Sequence, residues 1–300
     1  MGRSRLSTRW IAAGAEGWSY LLKAARPGFW STSVWFYLLP LGAQWVFGDW
    51  RFWVGLFYVT FPLGLLIYGC NDLVDRETDR LNPRKDSFLF GARPTEAQLT
   101  ALPRWIVLVQ LPFFGLFIAL AGGKALLWIA ALLGLTALYN VPPVALKGRP
   151  GWDMLNQVGY LLVFVLASWL GGRPQAPWFT FVFGALFAMH SHLFGQVMDH
   201  APDLAAGRRT TAGTLGVRPA KGLLIALLLA EASVAAFAGR DFTITAFLLA
   251  GAAFFAADVA VLWRERPYAP WQMRVLFLGW NAAALVSLPW VWQQASFAAR

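Results

Sequence analysis

Nine stretches of the chain are apolar for long enough to cross, or nearly cross, a bilayer: 28–47, 52–70, 104–121, 125–141, 156–171, 178–197, 222–238, 242–263 and 271–292. A perpendicular helical crossing takes about 20 apolar residues, so several of these are short and their ends are expected to shift by a few residues. No polar run between them is long enough for a separate soluble domain. The pattern predicts an all-α fold: an integral membrane bundle of about nine transmembrane helices. It forms one domain over 28–300, with an N-terminal segment over 1–27. In that segment Trp10, Ile11, Trp18, Tyr20, Leu21 and Leu22 fall along one face between basic residues, which reads as an interfacial helix and lacks the cleavage pattern of a signal peptide.

The polar breaks are not alike. The one after the second span carries Asn71, Asp72, Asp75 and Asp79, then Asn82-Pro83-Arg84-Lys85. Aspartates at i, i+3 and i+7 fall within about 60° of arc on a helix, so all three can point at one place. Carboxylates converging beside a membrane are costly without positive charge between them. Mg²⁺ suits them, because it takes oxygen ligands and shares them with substrate phosphates. After the sixth span the composite recurs: Asp199 and Asp203 at i, i+4, then Arg208 and Arg209, with Asp199 lying 127 residues beyond Asp72. Carboxylates for metal and cations for phosphate at a membrane boundary describe a site for a lipid diphosphate ester. The spacing hints at duplication of a four-helix unit.

Composition fits this picture. The chain is 58% hydrophobic and 13% charged, against about 25% charged in a soluble domain. The net charge of +10 would suggest nucleic acid in a soluble protein. Here it is assigned to cationic loops facing an anionic leaflet and a phosphorylated substrate, with no nucleic-acid partner. If the N-terminus is cytoplasmic, only Arg51, Lys124, Arg173, Arg240 and Arg300 of the 25 Lys and Arg lie on the opposite side. That 20 to 5 split supports the span count, puts both acidic clusters on the cytoplasmic face, and leaves the C-terminus outside. The lone Cys70 excludes an intrachain disulfide.

The pattern Asn-Asp-x-x-Asp-x-x-x-Asp with its Asn-Pro-Arg-Lys tail, the Asp-x-x-x-Asp at 199–203, and Tyr139-Asn140-Val141-Pro142-Pro143 leading to Lys147 resemble the signatures of the UbiA superfamily of intramembrane prenyltransferases. The resemblance covers nearly the whole chain. It implies Mg²⁺-dependent transfer of an isoprenyl group from an allylic prenyl diphosphate to a lipophilic acceptor such as a quinone precursor or carotenoid, with two ions bridging the diphosphate. It implies metal ligation by Asp72, Asp75, Asp79, Asp199 and Asp203, of which Asp72, Asp75 and Asp199 are catalytic, and substrate binding by Asn71, Arg84, Lys85, Tyr139, Lys147, Arg208 and Arg209. The tail lacks the Arg-Pro-Leu of many quinone-pathway members and is closer to carotenoid-elongating ones.

Other readings stay open. A terpene cyclase of the same fold would need no acceptor. CDP-alcohol phosphotransferases are set aside because neither cluster has their Asp-Gly and Ala-Arg lead-in, and an ion transporter would place its acids near the midplane. Pro202 inside the second motif means either that the sixth helix ends near Asp199 or that Asp203 opens a loop helix. His190 and His192, at i, i+2, read as core or acceptor-pocket residues rather than paired ligands. Asp153 reads as a helix cap with Asn156 in the first turn. Glu231 and Asp258 lie in apolar spans, where helix-to-helix hydrogen bonding and function compete as explanations. Tyr68, Tyr139 and Tyr160 are candidate cation-facing rings among many aromatics.

Overall fold

The computed structural model describes residues 17–298, all helix, turn and loop apart from one isolated bridge between Ser87 and Gly91. Among the described residues, eight helices are long and apolar enough to cross a membrane. With the shorter pieces they run α1 (Trp30–Leu38), α2 (Trp50–Val74), α3 (Arg76–Leu81), α4 (Glu96–Ala121), α5 (Gly123–Asn140), α6 (Trp152–Leu170), α7 (Trp178–Met198), α8 (His200–Ala205), α9 (Thr211–Leu215), α10 (Val217–Gly239), α11 (Phe242–Ala260) and α12 (Pro270–Gln294). The expected first span, 28–47, is the short one. Proline at 27 and 40 opens 3-10 turns at Pro27–Phe29 and Leu39–Leu41, and helix stops there. α1 still holds a central place, with Trp35, Phe36, Tyr37 and Leu38 all buried.

Other boundaries moved outward because polar first turns are helical too. The third span begins at Glu96, where Thr95 and Gln98 form a capping box. Asp49 and Asp241 cap α2 and α11 by accepting from the backbone N–H groups of Arg51 and Ile244. Residues 17–24 are helical as well. Tyr20 and Leu21 are buried in the protein while Trp18 and Leu22 are exposed, so the expected single apolar face is split. Trp10 and Ile11 lie outside the described residues.

Burial sorts the spans into an inner and an outer set. α2 is 61% buried over its most apolar window and α12 only 11%. The outer helices expose Leu, Val and Trp side chains, as a lipid-facing surface requires. α7 packs against α6 and α10, α2 against α4 and α1, and α12 against α1. α11 and α12 do not pack closely along their length despite being consecutive, and meet through the rings of Phe247 and Trp280 at 5.1 Å between centres. Ala250, Gly251, Gly279 and Ala283 face an apolar cavity on their inner side.

Several buried polar groups inside the bundle are paired across helices, as a medium without water favours. Gln110 of α4 takes a hydrogen bond from Tyr58 (3.1 Å) and gives one to the Pro62 carbonyl (2.7 Å), tying α4 to α2. Lys221 and Asp258 form an ion pair at 2.7 Å, both with fully buried side chains. Lys221 also donates to the Arg264 carbonyl (2.9 Å), and Asp258 accepts from Tyr268. Helix-to-helix bonding therefore accounts for Asp258.

Breaking this pair from one side strands a buried charge, so Asp258→Ala should cost about 3–5 kcal/mol. Thermal melting in detergent should show the loss, and the double replacement Lys221→Met with Asp258→Leu should recover most of it.

Candidate active site

α2 ends at Val74, and Asp75 turns the chain into α3 with φ −94° and ψ 16°. The three aspartates are thus not on one continuous helix: Asp72 lies in the last turn of α2, Asp75 at the corner, and Asp79 in α3. All three are buried. Oδ1 of Asp72 takes Arg26 Nη2 at 3.0 Å and Lys85 Nζ at 3.0 Å, and its Oδ2 is buried without a hydrogen-bond partner. Lys85 also lies 2.7 Å from Asp79 Oδ2. Oδ1 of Asp75 takes Lys147 Nζ at 2.5 Å and the guanidinium of Arg208. Asn71 and Asn140 hold that lysine from either side, each with its Oδ1 at 3.3 Å.

The second cluster repeats the corner. α7 ends at Met198, Asp199 turns with φ −92° and ψ 6°, and α8 follows with Pro202 in its first turn and Asp203 buried. Both alternatives raised by Pro202 hold at once. The structural equivalence is therefore Asp75 with Asp199 and Asp79 with Asp203, an offset of 124 residues rather than 127. Arg84 and Arg208 share that offset, and they are exchanged between halves. Arg84, from the first half, grips Asp199, with Nε 2.9 Å from Oδ1. Arg208, from the second, grips Asp75 and lies 3.8 Å from Asp203. Asn82 Nδ2 adds a bond to Asp199 at 2.9 Å. One guanidinium thus spans Asp75 and Asp203, so the two clusters form one site.

Most of the residues expected at this site from the sequence meet here. Tyr139 lines a side cavity of about 110 Å³ with Tyr68, Tyr160 and Asn71, and the Tyr68 and Tyr160 hydroxyls are 3.1 Å apart. Arg209 is exposed and makes no hydrogen bond or ion pair among the described residues. Sequence reasoning missed Arg26, which packs 4.5 Å from the Tyr68 ring centre and bonds Asp72, because nothing beside it in sequence marks it. Asn82 was visible only as part of the Asn-Pro-Arg-Lys tail.

Asp153 is not a cap: Gly151 precedes the helix without a side-chain cap. Fully buried, Asp153 accepts from Gln196 Nε2 at 2.7 Å, from the Thr211 backbone N–H at 2.7 Å and from the Thr211 hydroxyl. It fixes the loop that carries Arg208.

Burial pushes the carboxyl of Asp203 up to about 7 despite the pull of Arg208, and that of Asp79 up to about 6 despite Lys85. Burial lowers Lys147 against the opposing pull of Asp75. Added positive charge would therefore be welcome at these carboxylates. Among the described residues no three acidic or imidazole groups stand close enough to hold an ion unaided. The cause is visible: Arg26, Arg84, Lys85, Lys147 and Arg208 stand between the carboxylates. The donor set, all oxygen with one buried Asp72 oxygen unpartnered, fits a hard divalent cation.

Below the cluster lies an apolar cavity of about 470 Å³. Arg26, Arg84 and Asp199 mark its polar end, and Phe36, Phe187, Phe254 and Trp280 its walls.

The fold and site together define a helical membrane bundle with paired acidic corners above an apolar cavity. The chain belongs to the UbiA prenyltransferase family, whose pattern it matches over residues 29–282. It is 33% identical to a lycopene elongase/hydratase of Halobacterium salinarum over 59% of this chain and 62% of that one. It is 27% identical to a lycopene elongase/hydratase of Corynebacterium glutamicum over 71% of this chain and 75% of that one. The match thus spans less than two thirds of the halobacterial relative. A UbiA homolog from Archaeoglobus fulgidus, solved bound to DMAPP and Mg²⁺, shares the fold with a TM-score of 0.64 and 20% identity, over 91% of this chain and 98% of that one. The same homolog bound to GPP and Mg²⁺ gives 0.60 at 20% identity, over 91% and 99%.

Asp153→Asn puts an N–H donor opposite the donors of Thr211 and Gln196. It should cost about 1.5–3 kcal/mol, the value of a hydrogen bond to a charged group, which a lowered melting temperature in detergent should show.

Proposed function

We propose that this protein transfers an isoprenyl group from an allylic diphosphate to the end of an acyclic polyene of the carotenoid class, releasing diphosphate. The observation that carries the reading is the ring of five buried or half-buried aspartates, each against an Arg or Lys, at the mouth of an apolar cavity. The names of the relatives favour a carotenoid acceptor over a quinone precursor, as does the tail without Arg-Pro-Leu.

In this proposal Asp72, Asp75, Asp79, Asp199 and Asp203 hold two Mg²⁺. Bound there, the metal supplies Lewis-acid stabilisation of the leaving diphosphate. Arg84, Lys85, Lys147 and Arg208 let go of their aspartates and take phosphate oxygens, with Arg209 joining from the surface. Charge would be conserved: Asp72, Asp75, Asp79, Asp199 and Asp203 would face metal in place of internal cations, and Arg84, Lys85, Lys147 and Arg208 would face phosphate in place of carboxylates. Positive groups fixed before the reaction stabilise the charge that grows as the C–O bond breaks. Asn71 keeps Lys147 in place, and Tyr139 with its neighbours offers π faces to an allylic cation. The apolar walls exclude the water that would quench it. Residues 28–300 form the single catalytic domain, and 1–27 an N-terminal segment whose described part packs on it. The site faces the cytoplasm and the C-terminus the opposite side.

Asp72→Ala should lower kcat by about 100-fold or more, the scale of losing a transition-state-stabilising group. The assay is radiolabelled dimethylallyl diphosphate with lycopene in detergent or liposomes. Near-normal turnover would sink the assignment, and a hydrocarbon released from the donor alone would favour a cyclase.

Turnover should vanish on exhaustive EDTA treatment and return with Mg²⁺ or Mn²⁺ but not through a zinc site, since the ligands are all oxygen. Full activity after chelation would defeat the metal role.

A further inference from the structure

His190 and Glu231 form a pair for which the diphosphate site has no use. Glu231 is fully buried in the middle of α10, and its Oε2 is 2.6 Å from His190 Nδ1 on α7. Its Oε1 is buried with no hydrogen-bond partner. The other imidazole nitrogen, Nε2, has only a long contact of 3.4 Å to Ser191 Oγ among the described residues. A carboxylate in the interior of a membrane helix is expensive to keep, and helix-to-helix bonding would be served as well by a neutral pair.

The position of the pair is informative. His190 lines the 470 Å³ cavity, and Glu231 lines a smaller one of about 140 Å³ behind it. Thr32, Phe187, Phe247 and Trp280 border both. His190 precedes Asp199 by nine residues on one helix, so it sits roughly 13 Å deeper along the axis. That places it among the apolar walls of the cavity, away from Arg84 and Asp199 at the polar end. The other titratable residues lining the cavity, Arg26, Tyr68, Arg84, Tyr160, His192 and Asp199, include the polar-end groups already described. His192 is held by Gln196 at 2.9 Å. Around His190 are aromatic edges and faces: Phe187 at 4.9 Å and Trp280 at 5.4 Å between ring centres.

Prenyl transfer to an alkene has a step the aspartate ring cannot perform. The acceptor double bond supplies the electron pair for the new C–C bond to the prenyl C1. The C1–O bond breaks, and its pair leaves on diphosphate. A tertiary carbocation remains on the acceptor's other alkene carbon, and it must lose a proton. We infer that His190, oriented by Glu231, is the base that ends the reaction. A C–H next to the cation gives its proton to Nε2, and its electron pair closes a new double bond. Glu231 acts through His190 as a positioning residue. It fixes the tautomer with hydrogen on Nδ1 and balances the imidazolium that forms. Phe187 and Trp280 can face the cation before it is quenched.

This role rests on the proposed acceptor class, and the test separates the two. The full chain is assayed with dimethylallyl diphosphate and lycopene, alongside direct measurement of donor binding. The wild type should convert the pair. His190→Ala should lose about 100-fold or more in kcat, the low end of general-base catalysis, with donor affinity unchanged. Glu231→Gln, which keeps an oxygen acceptor for Nδ1–H, should lower kcat without moving donor KM, and intact donor binding will show that each variant is folded. Turnover close to wild type in both variants, or loss of donor binding as the main effect, would overturn the base while leaving the acceptor intact. A wild type that binds donor but leaves lycopene untouched would overturn the acceptor class and this role with it.

Discussion

The structure depends on charge alternation at one end of an apolar bundle. Five aspartates gathered this closely cannot stay together without countercharge. Five cations supply it, and they come from all over the chain: Arg26 ahead of α1, Arg84 and Lys85 after α3, Lys147 after α5, and Arg208 after α8. The bundle's connections therefore converge on the site. The inner helices α2 and α7 each end in the site because their corner residues, Asp75 and Asp199, are members of it.

The exchange of Arg84 and Arg208 between the halves makes the arrangement cooperative. Neither acidic corner is neutralised wholly by its own loop. Moving one half away would take an arginine from an aspartate in each, which penalises partial opening. In the proposed mechanism, metal and diphosphate bound together would replace these pairs with others of the same sign pattern, whereas either alone would leave charges unmatched.

Much of this was legible in sequence. The apolar runs gave the spans, except where Pro27 and Pro40 cut the first to a short helix. The two acidic motifs were visible because their chemistry is concentrated in a few consecutive residues. What stayed hidden was long-range. Arg26 lies 46 residues from Asp72, and Asp153 lies 58 from Thr211. Periodicity carries no signal for such partners. Asp153 in a first turn looks the same from sequence whether it caps its own helix or ties down a distant loop. The corner at Asp75 was missed because i, i+3, i+7 spacing suits an unbroken helix, and nothing in Val74-Asp75-Arg76 marks a break.

The repeat also shows how two similar halves divide the work. At the offset that matches the corners, Asp72 corresponds to Gln196 and Tyr68 to His192. Asp72 keeps its charge and faces Arg26 and Lys85. Gln196 is neutral, and it spends its amide on Asp153 (2.7 Å) and the Ala212 backbone N–H (3.0 Å). The first half thus concentrates negative charge, while the second holds a loop rigid. Freed from a third carboxylate, α7 runs from a charged corner at Asp199 to an imidazole at His190, with the apolar cavity alongside. One helix then spans the polar and the apolar ends of the cavity, and its register sets the distance between Asp199 and His190.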